Sequence, residues 1–166
     1  MKFAFWALCL VILVNSGCGY YSTKSRTAKD IKSVAVLFFE NKTQEPNIEI
    51  FVTETVVRLL IEDNTLSVTD ESNADAVLEG TLVGFVNRPF SFNTDLNAEE
   101  YHVVVTLQAT LFDRKLNLPI WENKTIKGDG SYFAGSQEPG FTYEDALAES
   151  LKEITDRILN LTVQDW

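Results

Sequence analysis

The chain has 166 residues, 45% of them hydrophobic, and a formal net charge of −10. That length suits one ordinary domain with a real core. The acidic balance argues against nucleic acid as a partner, and against anionic lipid held over a broad basic face, because both need clustered Lys and Arg.

The N-terminus opens with Lys2 and an apolar run from Phe3 to Val14. That run is too short to span a bilayer, which takes about 20 apolar residues. It reads instead as the core of a signal peptide covering residues 1–17. Asn15-Ser16-Gly17-Cys18 is similar to a lipobox, the signal for cleavage just before a lipidated cysteine. Asn15 departs from the apolar residue usual there. Cleavage removes Cys9 and leaves Cys18 as the lipid carrier, so no disulfide is expected within the chain. Membrane attachment is then expected through the N-terminal lipid. Residues 18–30 read as a polar tether, and residues 31–166 as a single domain.

Ile31 to Phe39 is β-branched and aromatic, and predicts a strand buried on both faces. Pro46-Asn47 opens a helix, with the proline suited to the first turn. Ile48, Phe51, Val52, Val56, Leu59 and Leu60 recur at helical steps. Leu66 to Thr69 predicts a short strand, and Ala74 to Val86 another. Gly80 and Gly84 mark bulges or close packing there. Residues 87–99 read as a polar loop that carries Phe90 and Phe92. Tyr101 to Phe112 alternates strictly and forms a hairpin with residues 118–127. Gly128 to Gly140 reads as a second loop, with Tyr132 and Phe133 in it. Thr142 with Asp145 forms a capping box for a last helix, whose stripe is Leu147, Leu151, Ile154, Ile158 and Leu161. The whole predicts an α+β fold: a two-layer sandwich with two helices on one face of a four- to five-stranded mixed sheet.

Catalytic chemistry finds no support. The single histidine, His102, lies mid-strand without a clustered carboxylate or cysteine, and reads as structural. No metal-ligand spacing and no phosphate-binding glycine loop occurs. Gly128-Asp129-Gly130-Ser131 reads as a turn. The acidic stretch Asp63, Asp70, Glu71 and Asp75 reads as a solvated face. Neither a catalytic residue, a metal nor a cofactor is expected. Phe90, Phe92, Tyr132 and Phe133, in otherwise polar segments, either fold back over an open end of the core or form a contact surface.

Several segments, in order, carry a resemblance: Cys18-Gly19-Tyr20-Tyr21; Ile31 to Val36 followed by Phe39 to Thr43; Ala74 to Thr81; and Glu100-Tyr101 leading to Ala109-Thr110-Leu111-Phe112-Asp113 and Leu118 to Glu122. Together they resemble the LptE family of lipopolysaccharide-assembly lipoproteins. The resemblance implies an outer-membrane lipoprotein on the periplasmic face. Such a protein plugs and helps assemble the LptD β-barrel, which places lipopolysaccharide in the outer leaflet without covalent chemistry. It implies an LptD-like barrel and lipopolysaccharide as partners. Arg88, Phe90, Phe92, Tyr132 and Phe133 are the expected barrel contacts. Arg114, Lys115, Lys124 and Lys127 are lipopolysaccharide-contact candidates by charge alone. Val34 to Asn41 is also similar to the opening strand of curli-secretion-type lipoproteins, which form oligomeric pores, and a generic envelope binding module stays open beside both.

Overall fold

A computed structural model describes residues 31–163. The expected signal peptide, Cys18 and the tether lie outside the described residues. The elements run β1 (Ser33–Val36), β2 (Glu40–Asn41), α1 (Ile48–Asp63), β3 (Ser67–Val68), β4 (Ala76–Phe92), β5 (Ala98–Asp113), β6 (Leu118–Phe133) and α2 (Tyr143–Val163). They build a six-stranded mixed sheet of order β3-β1-β4-β5-β6, with β2 paired to β4. β1 runs parallel to β3 and β4, and β2 parallel to β4, while β4, β5 and β6 are antiparallel neighbours. Both helices pack on one face, so the α+β sandwich holds. The sheet exceeds the expected four to five strands because β1 stops at Val36 and the chain pairs again briefly at Glu40–Asn41.

The core lies between sheet and helices. Val52, Val56 and Leu60 of α1 and Leu151, Ile154 and Ile158 of α2 are at most 2% exposed, as are Leu78, Leu82, Val103, Val105, Leu107 and Leu111 of the sheet. Phe51, expected in the α1 stripe, is exposed instead. α2 buries more than its leucine and isoleucine stripe. Ser150, Thr155 and Thr162 are buried too, and each hydroxyl donates to a carbonyl three or four residues back at 2.8 Å. In-helix bonding of this kind lets a hydroxyl enter a core without an orphaned donor.

Helix ends follow local chemistry. α1 is flanked by Asn47 (φ 62°) and Asn64 (φ 60°), both left-handed, and the Asn64 N–H donates to the Leu60 carbonyl. Asparagine tolerates that region better than most residues. Pro46 therefore stands before the cap and not in the first turn. At α2 the capping box is formed. The Asp145 N–H donates to Thr142 Oγ1 at 3.2 Å, and Asp145 Oδ2 accepts from the Thr142 N–H at 3.1 Å.

Two segments read as loops from the sequence are strand. β4 continues through Phe92 and β5 starts at Ala98, so the loop between them is residues 93–97. β6 continues through Gly128-Asp129-Gly130-Ser131 to Phe133. The two glycines serve the helix and not a turn. A Cβ at Gly128 would stand 1.9 Å from the Ser150 carbonyl oxygen, and one at Gly130 would stand 2.1 Å from that of Ala146. Only glycine lets the α2 backbone lie that close to the strand. Gly80 likewise makes room for Phe39, whose ring would lie 2.7 Å from a Cβ there, and a register shift falls between Leu82 and Gly84.

Candidate functional site

β1 and β2 pair no further along β4 than Leu82, and β3 pairs with β1 alone. Beyond it, residues 83–92 of β4 continue with β5 and β6 alone, an extension of roughly 30 Å at 3.3 Å per residue. The parallel pairing places Ser33, close to the start of the described chain, beside the opposite end of β4. The tip formed by residues 90–98 and 133–141 is thus remote from the end at which the chain enters the fold.

The tip gathers exposed apolar side chains. Phe90 is 61% exposed, Phe92 58%, Leu96 83%, Phe133 42% and Phe141 45%. This concentration at one end exceeds the scattered exposed residues that any surface carries. The backbone beneath it is ordered by bonds. Asn93 Oδ1 accepts from the Asp95 and Asn97 N–H groups, each at 3.0 Å. The Ala134 N–H donates to the Glu99 carbonyl at 2.9 Å, and the Phe133 N–H to that of Phe141 at 3.2 Å. The rings of Phe133 and Phe141 lie 5.6 Å apart.

The two faces of the tip differ. On the helix face, Tyr132 stacks on Tyr101 at 5.3 Å and meets Tyr143 edge-on at 5.6 Å. Its hydroxyl meets the Asn87 side-chain amide at 3.1–3.2 Å. This tyrosine group closes the open end of the core, and burial raises the Tyr143 pKa, with the nearby Glu45 charge adding to the effect. On the uncovered face, Phe90 stacks on His102 at 4.6 Å, and Arg88 pairs across the strands with His102.

The residues expected to meet a barrel therefore share one end of the molecule. Arg88, Phe90, Phe92 and Phe133 present side chains to solvent there, whereas Tyr132 is half-buried in the tyrosine group. The four cations selected by charge do not converge. Arg114 and Lys115 lie in the β5–β6 turn at the opposite end, and Lys124 and Lys127 lie along β6. Lys115 Nζ is 2.8 Å from Asp75 Oδ1. Asp75 also accepts from the Lys32 N–H and the Ser33 hydroxyl, and these contacts, that of Lys115 foremost, hold its pKa down to about 2. Asp75 is thus a tie between β1, β4 and the turn, unlike the solvated residue expected. Tyr101, Tyr143, Asn87, Leu96 and Phe141 were not singled out from the sequence. Only the β4–β5 and β5–β6 register brings them to the tip.

Among the described residues no helix is long and apolar enough to cross a membrane, and no group of His, Cys, Asp and Glu is arranged to hold a metal ion.

The family model of LptE, described as lipopolysaccharide-assembly, matches residues 31–162. The chain belongs to the LptE family. No curated protein matches it. Among solved structures it is similar to the hypothetical protein CT253 from Chlamydia trachomatis, with a TM-score of 0.59 at 14% identity over 80% of this chain and 98% of that one. It is also similar to the uncharacterized lipoprotein B from Nitrosomonas europaea, with a TM-score of 0.50 at 13% identity over 86% of this chain and 88% of that one. Protein XCC0632 from Xanthomonas campestris gives a TM-score of 0.50 at 12% identity over 79% and 83% of the two chains. At such identities the structural likeness speaks for the fold alone. Membership of the LptE family rests on the sequence match.

Proposed function

We propose that this chain is an outer-membrane lipoprotein, cut before Cys18 and lipidated there, whose aromatic tip seats in an LptD-like β-barrel. It supports the barrel's assembly and the insertion of lipopolysaccharide into the outer leaflet, and carries out no covalent step. The observation that carries this reading is the exposed tip of Phe90, Phe92, Leu96, Phe133 and Phe141, held on an ordered three-stranded extension of an LptE-family fold. A lipid at Cys18 holds one end of the domain at the periplasmic face of the membrane. The chain enters the fold at the end opposite the tip, so the tip is free to reach into a partner. A barrel lumen is polar and offers strand walls. The mainly polar, alternating outer surface of the extension suits it, with the aromatic rings as local anchors. Arg114, Lys124 and Lys127 form no ion pair among the described residues and lie apart, so lipopolysaccharide phosphates would meet them singly and not as one cluster. Lys115 would first have to leave Asp75.

The test is co-purification of the C-terminally tagged full chain from membranes in mild detergent. The expected result is a stoichiometric outer-membrane β-barrel, with recovery reduced about tenfold in the Phe90→Ser/Phe92→Ser double variant, as the loss of interface anchors worth ~1–2 kcal/mol would give. A homo-oligomer without a barrel, at normal expression, contradicts the proposal and favours a pore-forming lipoprotein.

A further inference from the structure

The uncovered face of the sheet holds a depression of about 430 Å³, inside the range of roughly 300–1,000 Å³ common for small-ligand sites. It lies some 30 Å along β4 from Phe90, at 3.3 Å per residue, and so is separate from the aromatic tip. Its floor is two cross-strand pairs, Glu79 with Thr110 and Thr81 with Gln108. One wall is Leu37 and Phe38, from the link between β1 and β2, with Glu40 at the start of β2, and the other is Asn123.

Both walls are fixed. The Leu37 N–H donates to the Leu78 carbonyl at 2.9 Å, and the Phe39 N–H to Thr53 Oγ1 at 3.1 Å, with the Phe39 ring buried. Between these anchors Phe38 shows 61% of its surface to solvent. Opposite, β6 leaves register with β5 between Ala109 and Leu111, and Asn123 takes φ 51° while its N–H donates to Thr110 Oγ1 at 3.1 Å. The bulge re-aims a side chain that a regular strand would direct elsewhere.

The chemistry of this lining selects a ligand class. Two carboxylates, two amides and two hydroxyls surround one exposed ring. The side chains of Glu79 and Gln108 form no hydrogen bond among the described residues, so their donors and acceptors are available. A phosphate or carboxylate ligand would meet Glu40 and Glu79, and none of the residues that line the depression is a cation; Lys42 stands 3.6 Å from Glu40. An apolar ligand would strip water from six polar groups and return no hydrogen bonds. A neutral ring bearing several hydroxyls fits both demands. Its hydroxyls pair with Glu79, Gln108 and Asn123, and its C–H face lies against Phe38. From this cross-strand polar floor beside a rigidly displayed phenyl ring, we infer that the depression binds a neutral saccharide segment.

Two sources in an envelope share that chemistry, the sugar portion of lipopolysaccharide and the glycan of the cell wall. Only the envelope location rests on the proposed function; the binding chemistry does not. The experiment is calorimetric titration of the detergent-solubilised full chain with two probes, a delipidated and dephosphorylated lipopolysaccharide oligosaccharide and an N-acetylglucosamine trimer. The expected result is saturable binding of at least one probe. Glu79→Ala should weaken it about tenfold, the equivalent of ~1.4 kcal/mol, as loss of a hydrogen bond to a charged group would. Gln108→Ala and Phe38→Ala should also weaken it. The Phe90→Ser/Phe92→Ser variant should bind normally, which separates this site from barrel association. Binding of the first probe alone assigns the site to lipopolysaccharide, and of the second alone to the wall glycan. If neither probe binds, or if binding is indifferent to Glu79→Ala and Gln108→Ala in folded protein, the inference is overturned.

Discussion

β5 shows two different surfaces on its two sides. Val103, Val105, Leu107 and Leu111 face the helices and are no more than 1% exposed. Val104, Thr106, Thr110 and Phe112, interleaved with them, are half-exposed on the uncovered side, and Gln108 is exposed. One strand thus serves the core on one face and leaves the other open to solvent. Packing binds the first set, since each member pairs with a residue of both neighbouring strands and belongs to the core that the helices share. The second set has no such constraint except near the start of β4, where Ala35, Ala74 and Val77 form a small cluster of their own with Leu37.

Three substitutions probe this division, from severe to mild. Gly128→Val puts a branched side chain where a single Cβ already meets the Ser150 carbonyl at 1.9 Å. Neither backbone can yield without parting α2 from β6, so this variant should lose its cooperative unfolding transition in urea; a normal transition would show that the helix–sheet approach is adjustable. Leu107→Ala removes a fully buried side chain, and chemical denaturation should show a loss of about 2–5 kcal/mol. A loss no larger than that of a residue on the uncovered face would remove the asymmetry.

Asp75→Asn is the mildest, and it tests the strongest polar tie on the uncovered side. The folded pKa of Asp75, about 2, lies below its ordinary 3.8. Its ionised form is therefore stabilised by folding, and the unfolded chain binds more protons between the two values. The contribution is complete above about pH 4–5 and is lost as pH falls through 2. Lys115 is 61% exposed, which screens the pair, so the expected loss at pH 7 is about 1–2 kcal/mol. The gap between wild type and variant should close on acidification from pH 5 to pH 2. A gap that is constant with pH would show that the Lys115, Lys32 and Ser33 contacts do not favour the ionised carboxylate, against the lowered pKa.

Much of the fold was legible in the sequence because its signals are local. The alternation of Tyr101 to Phe112, the leucine and isoleucine stripe of α2 and the Thr142–Asp145 box each depend on neighbours a few residues away. The misread segments were those whose meaning lies elsewhere in the chain. Residues 87–92 look like loop because Arg88, Pro89 and Ser91 break the alternation. They extend because β5 offers them a partner, with register shifts at Pro89 and Ser91 absorbing the irregularity. Gly128 and Gly130 look like a turn until α2 lies across them. The candidate contact residues were half legible. Phe90, Phe92 and Phe133 stood out as aromatics in polar surroundings, while Tyr101 and Tyr143 were indistinguishable from core. Charge alone chose Arg114, Lys115, Lys124 and Lys127, and charge carries no information on position.

The sequence by itself determined the α+β class, the helix-facing residues and the resemblance to the LptE family, because periodicity and motif order are properties of a chain read in one dimension. Tertiary structure alone decided that β4 outruns its parallel neighbours, that the aromatics gather at one end, that Asp75 is a tie, and that Glu79, Gln108, Phe38 and Asn123 line one depression. Each of those depends on strand register. Register is an agreement between distant segments, set by which packing buries the most apolar surface with every backbone group paired.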